Sequence, residues 1–129
     1  MDKLQQLKQQ LQGHTQELLR GQIIMADLPP VAGSVQNGLR PCIVISNDKA
    51  NTFAPNISAI PLTSRDKKYL PTHHKIEPTT TNGLKVPSTA LAEQILTISK
   101  QCIRKIIGIV DDTQLESINN IIKESVGIF

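Results

Sequence analysis

Arg40 is the residue whose setting most directly implies chemistry. It stands immediately before Pro41, at the mouth of the apolar run "PCIVISN" and behind a polar loop that holds Gly33, Asn37 and Gly38. A proline disfavours helical backbone in the residue before it, so Arg40 is held extended. Pro41 has no amide hydrogen and suits the first residue of a strand, where the ladder has not begun. A permanently charged, planar fork beside a movable polar loop makes a mouth for an anionic ligand. The plainer reading is an arginine solvated at a strand end.

Metal and thiol chemistry find less support. His73 and His74 are adjacent, so as strand neighbours they face opposite sides and chelate poorly. His14 belongs to a separate helical segment, and no cysteine or carboxylate stands at metal-ligand spacing beside any of the three. No metal and no cofactor is expected. Cys42 and Cys102 form neither a CxxC pair nor a disulfide framework. With no signal peptide visible, they read as reduced thiols of a cytoplasmic protein.

The elements that would position Arg40 fall into three parts. In "MDKLQQLKQQLQGHTQELL", Leu4, Leu7 and Leu11 recur at three- and four-residue steps and Leu18 follows seven later. This spacing predicts an amphipathic helix over roughly residues 2 to 17, packed on the domain or offered to a second subunit or partner. The pattern then becomes extended. "QIIMADL", "PCIVISN", "NISAIPLTS", "THHKIEP" and "KVPSTALAEQI" read as strands, with "TTTNGL" as a turn. Pro61 inside the third run argues for an edge, a bulge or a strand end. The last segment, "DDTQLESINNIIKESVGIF", places Leu115, Ile118, Ile121, Ile122 and Val126 on one helical stripe. Asp111 or Asp112 can cap its start and Gly127 can end it. Short strands between two helices suggest a small barrel.

Composition sets bounds. The 129 residues suit one compact domain, and a core drawn from 39% hydrophobic residues must be aliphatic, because only Phe53, Tyr69 and Phe129 are aromatic. A net charge of +3 permits an anionic partner without the clustered basic footprint of a duplex binder. The apolar runs are too short or too charged to span a bilayer.

From about Arg20 onward the chain resembles the MazF/PemK/Kid toxins, ribonucleases of toxin–antitoxin pairs called mRNA interferases. "RGQIIMADLPPVAGSVQNGLRP" is similar to the family's opening, followed in family order by "VISND", "NTFAPNISAIPLTS", "LPTH" and "NGLKVPSTALAEQILTISK". The resemblance covers about 110 residues and divides the chain into a helical extension over 1–19 and a toxin domain over 20–129. It implies a mainly β fold, the SH3-like small barrel of MazF, Kid and CcdB, here with an extra N-terminal helix and a C-terminal helix. It also implies a homodimer that cuts single-stranded RNA without a metal, at short motifs, leaving a 2′,3′-cyclic phosphate and a 5′-hydroxyl. The expected protein partner is an acidic MazE/PemI-like antitoxin whose disordered tail folds into the RNA groove.

Attack by a ribose 2′-hydroxyl needs a base, charge stabilisation at phosphorus and a proton for the departing 5′-oxygen. In the family the arginine of "RP" and a strand-end threonine are tied to catalysis, and these fall on Arg40 and Thr63. Arg40 can grip two phosphoryl oxygens, and the Thr63 hydroxyl can hold the same phosphate in line. Glu93 stands where some relatives carry an aspartate proposed as general base; it can take the 2′-proton, or pair with Arg40 or another arginine. The leaving-group proton comes from Arg40, as proposed in the family, or from water. For gripping RNA the candidates are Ser34, Gln36 and Asn37 in the loop, Lys49, Phe53 and Tyr69, then Ser64, Arg65, Lys67, Lys68, His73 and Gln94. The basic run "SRDKKYLP" reads equally as a solvated loop.

Four departures from the family pattern bear on activity. Val35 replaces a glutamate, Asn37 a glycine and Leu96 an arginine, while Cys102 stands near another arginine and Arg104 is shifted from it. Two other functions stay open: a gyrase-binding toxin like CcdB, acting through the C-terminal helix and chain end, and a catalytically silent interaction module.

Overall fold

The computed structural model describes residues 17–30, 33, 35–65 and 68–129. The expected helix over residues 2 to 17 lies outside the described residues, save Glu17. Among the described residues there are seven strands. They are β1 (Gln22–Leu28), β2 (Gly38–Val44), β3 (Asn56–Thr63), β4 (His73–Ile76), β5 (Ser88–Leu91), β6 (Leu96–Ser99) and β7 (Ile103–Ile109). Two helices, α1 (Asp48–Phe53) and α2 (Asp112–Val126), complete the framework.

The sheet is antiparallel, in the order β4-β5-β3-β2-β1-β7, with β6 paired to β3 off this path. The path is open rather than closed into a ring. β3 is central. It pairs β2 along one side, and on the other side it pairs β6 through Asn56–Ala59 and then β5 through Leu62 and Thr63.

Of the alternatives for Pro61, the edge is corrected, because β3 is paired on both sides and Pro61 is buried in it, two residues before its end. Ile45 N–H donates to Ser58 O, so alternate residues 58, 60 and 62 turn their backbone groups to β2. The nitrogen of Pro61 therefore faces the opposite side, at the gap between the β6-paired and β5-paired stretches, where no donor is needed. The expectation that Pro41 opens its strand is corrected likewise, since β2 begins three residues earlier, at Gly38. The β2–β3 ladder starts only at Cys42, so Pro41 turns its missing donor to a side not yet paired.

Alternating side chains make the sheet apolar on both faces. One face buries Ile23, Ile43, Ile60 and Leu62 against Ile118 and Ile121 of α2. The other buries Ile24, Ala26, Cys42, Val44, Ile57 and Ala59 against Ile98 of β6. Burial of each isoleucine contributes roughly 2 kcal/mol. Leu115 and Ile122 complete the helix stripe, but Val126, expected on it, is 57% exposed. The carboxylate of Asp111 caps α2 by accepting from Gln114 N–H at 2.8 Å, and Gly127 ends it in the left-handed conformation. Among the described residues no helix is long and apolar enough to cross a membrane.

Three elements escaped the sequence reading. α1 is a short helix capped by Asn47, whose side chain accepts from Ala50 N–H. β6 and β7 follow the 3-10 turns Ala92–Gln94 and Lys100–Cys102. The "TTTNGL" turn is locked against β7 by two glycines. A Cβ on Gly83 would lie 2.0 Å from Ile107 O, and one on Gly108 would lie 2.3 Å from the Asn82 carbonyl carbon.

Candidate functional site

Arg40 is the third residue of β2 and is half-buried. Its Nε donates to Asn37 O at 2.8 Å, and its Nη1 donates to the side-chain oxygen of Gln36 and, at 3.5 Å, to Leu62 O. No described residue takes a hydrogen bond from the remaining nitrogen, Nη2. The loop before β2 thus folds back on the guanidinium. It is fastened from its far side by Gln94, whose side-chain oxygen accepts from Gln36 N–H at 2.8 Å.

Thr63 is the last residue of β3 and is 4% exposed. The printed register runs Val44↔Ala59, Ile43↔Ile60 and Cys42↔Pro61. Carried two residues further, it sets Arg40 opposite Thr63, and directly opposed residues share a face of the sheet. The contact of Arg40 Nη1 with the Leu62 carbonyl agrees with that placement. Adjacent strands lie about 4.8 Å apart. The Thr63 hydroxyl accepts from Arg65 N–H at 3.2 Å, which leaves its own hydrogen free to donate. On the other side Thr63 pairs with Thr89 of β5, a hydroxyl the sequence reading passed over.

Glu93 is exposed on the 3-10 turn Ala92–Gln94, and no bond joins it to Arg40 among the described residues. Its Oε1 accepts from Thr72 Oγ1 at 2.9 Å and its Oε2 from His73 Nε2 at 2.9 Å. Leu70 N–H donates to His73 Nδ1 at 3.3 Å, which leaves Nε2 as the protonated nitrogen and the donor to Glu93. Burial pushes the Glu93 carboxyl up, but hydrogen bonds from His73, its own backbone and Thr72 outweigh it and hold the group below its ordinary value of 4.5. His73 is 2% exposed, with Tyr69 edge-on to its ring. His74 faces the other way and meets Gln114 of α2 at 2.6 Å. Among the described residues no group of three or more His, Cys, Asp or Glu could hold a metal ion.

Cys42 shares the face of Arg40 but offers no nucleophile. Burial pushes its thiol up to about 12, with the Arg40 charge opposing. Leu96, in place of the family's arginine, packs against the second core cluster. Arg104 is held by Asp27 at 3.4 Å. Ser64, Arg65 and Lys68 are exposed on the segment that leaves Thr63. Lys49 and Phe53 sit on α1, at the other end of the β2–β3 hairpin, at least about 13 Å along the strands. Ser34 and Lys67 lie outside the described residues. The structure therefore gathers Arg40, Thr63, Gln36, Asn37 and Gln94 at one end of the sheet, joins Glu93 to His73 on the turn that carries Gln94, and leaves Lys49 and Phe53 apart. Thr72 was also missed; its place directly before His73 was the available signal.

Comparison with known proteins adds relatives to this geometry. Residues 19–126 match the family model of the PemK-like, MazF-like toxin of type II toxin–antitoxin systems. The chain is 36% identical to the endoribonuclease MazF of Staphylococcus saprophyticus over 110 residues, 84% of this chain and 91% of that protein. It is similar to a solved endoribonuclease in complex with its cognate antitoxin from a mycobacterial species. That match has 25% identity and a TM-score of 0.71, covering 87% of this chain and 97% of the other. It also shares its fold with MazF from Deinococcus radiodurans, at a TM-score of 0.74 and 22% identity over 87% and 98% of the two chains.

Proposed function

Because the chain belongs to the PemK-like, MazF-like toxin family of type II toxin–antitoxin systems, we propose that it is an endoribonuclease that cuts single-stranded RNA without a metal ion. The proposed reaction occurs at short sequence motifs and leaves a 2′,3′-cyclic phosphate and a 5′-hydroxyl. In this reading the open sheet and α2 are an SH3-like barrel, the protein is a cytoplasmic homodimer, and an acidic antitoxin neutralises it by filling the RNA groove. The solved complex of a similar endoribonuclease with its antitoxin supports such a partner.

One relationship carries the reading: the β2–β3 register, extended two residues past Cys42 and Pro61, sets Arg40 opposite Thr63, each with a donor that no described residue takes. The scissile phosphate would accept from Arg40 Nη2 and from the Thr63 hydroxyl. The 2′-oxygen attacks phosphorus as its proton leaves to solvent base, O2′–P forms, P–O5′ breaks, and O5′ takes a proton from water. Negative charge on the phosphoryl oxygens rises along this path, so the guanidinium stabilises the transition state more than the ground state. Binding of longer RNA falls to Gln36, Asn37 and Gln94 at the loop, and to Ser64, Arg65 and Lys68 beyond Thr63.

The test is incubation of the purified protein with single-stranded RNA in excess EDTA. Cleavage that persists under chelation and is lost in Arg40→Ala supports the proposal. An Arg40→Ala protein that remains toxic to cells favours the gyrase-type alternative.

A further inference from the structure

We propose that Glu93 is not the general base but a positioning residue, which with His73 holds the turn that orients Arg40. This inference rests on the nuclease reading above and deepens it. A base must present a lone pair to the 2′-hydroxyl. Each Glu93 oxygen instead already accepts a hydrogen bond, one from Thr72 and one from the buried ring of His73, which fixes the carboxylate on those partners. The same carboxyl is held below its ordinary range, the wrong direction for a base working near neutral pH.

What Glu93 does touch leads to the guanidinium. The 3-10 turn Ala92–Gln94 is pinned to Thr72 and to His73, the first residue of β4, by Ala92 N–H donating to Thr72 O at 3.0 Å and by the two bonds to Glu93. The next residue, Gln94, takes Gln36 N–H, and the Gln36 side chain takes Arg40 Nη1. A relay of hydrogen bonds therefore runs His73–Glu93, along the turn to Gln94, then Gln36–Arg40. Loosening its root shifts the fork relative to Thr63. A displacement of about 1 Å at a reacting centre is enough to cost about 100-fold in rate.

Glu93→Gln and Glu93→Ala separate the two roles. A glutamine still accepts from His73 but cannot take a proton. The expected result is that Glu93→Gln keeps at least a third of the wild-type kcat. Glu93→Ala should lose 10- to 100-fold in kcat with KM changed less than threefold. The Arg40 Nε–H signal in a proton–nitrogen spectrum, assigned with Arg40→Lys, should lose its protection from exchange in Glu93→Ala and keep it in Glu93→Gln. Gln94→Ala cuts the relay beyond the Glu93 anchor without touching it. It should lower kcat similarly, and combining it with Glu93→Ala should add little, which keeps the test valid if Glu93→Ala folds poorly. A folded Glu93→Gln protein as slow as Glu93→Ala, or an Arg40 signal unmoved in Glu93→Ala and Gln94→Ala alike, overturns the inference and restores the base. If Arg40→Ala itself cuts RNA at the wild-type rate, the nuclease site has failed instead.

Discussion

The side-chain oxygen of Gln36 accepts from Nη1 of Arg40, beside the Nη2 that the proposed mechanism aims at phosphate. This amide fixes the plane of the fork without taking the nitrogen assigned to phosphate. Gln36→Ala is predicted to lower kcat about tenfold and to raise KM for RNA about threefold. Steady-state cleavage of a fluorogenic RNA reads both; a raised KM with kcat intact would contradict this view of the loop.

Thr63 supplies a hydroxyl from a nearly closed position, and its shape matters less than its oxygen. Thr63→Val should reduce single-turnover cleavage 10- to 100-fold, whereas Thr63→Ser should stay within about fivefold of wild type. Losing the acceptor for Arg65 N–H also costs about 1 kcal/mol of stability, measurable by urea unfolding.

Gly83 of the turn and Gly108 of β7 make a prediction about folding alone. Any Cβ on Gly83 or Gly108 meets backbone atoms at 2.0 to 2.3 Å, and neither chain can yield without breaking the other. Gly108→Ala should destabilise by about 3 kcal/mol in denaturant unfolding. A loss under 1 kcal/mol would mean that the turn is not locked to β7.

The His73–Glu93 pair has a signed pH dependence. The Glu93 carboxyl titrates lower in the folded chain than its ordinary 4.5, so its bonds stabilise the fold above that pH and are lost as pH falls below it. Melting temperatures of wild type and Glu93→Gln should differ most at neutral pH and converge below pH 4.5.

The two thiols should react unequally. With Cys42 buried and pushed up to about 12 while Cys102 is half-exposed, iodoacetamide at pH 8 should add one label to the native protein, on Cys102. Peptide mass mapping checks the site.

Much of the frame was legible where the signal is local. "QIIMADL" gave β1 at its observed bounds, and the stripe and caps of "DDTQLESINNIIKESVG" gave α2 to within a residue. Strand β7 stayed hidden because "IRKIIGI" alternates poorly along a half-buried edge. Pro41 misled, and Pro61 suggested an edge among its alternatives, because a proline's tolerance depends on which side of the strand its nitrogen faces, a property of pairing and not of sequence. Arg40 stood out by its setting, but its partnership with Thr63 came from family resemblance. Nothing local ties residues 23 apart. The relay through Gln94, which joins positions 58 apart, depends on register and turn geometry that only coordinates supply.

The central claim is that Arg40 and Thr63 act on one phosphodiester. Single-turnover RNA cleavage in EDTA by wild type, Arg40→Ala, Thr63→Val and the double variant tests it most directly. The account predicts that both single variants are slow and that the double falls short of the sum of their losses by about 1 kcal/mol or more. Strictly additive losses, or either single variant cleaving at the wild-type rate, would contradict it.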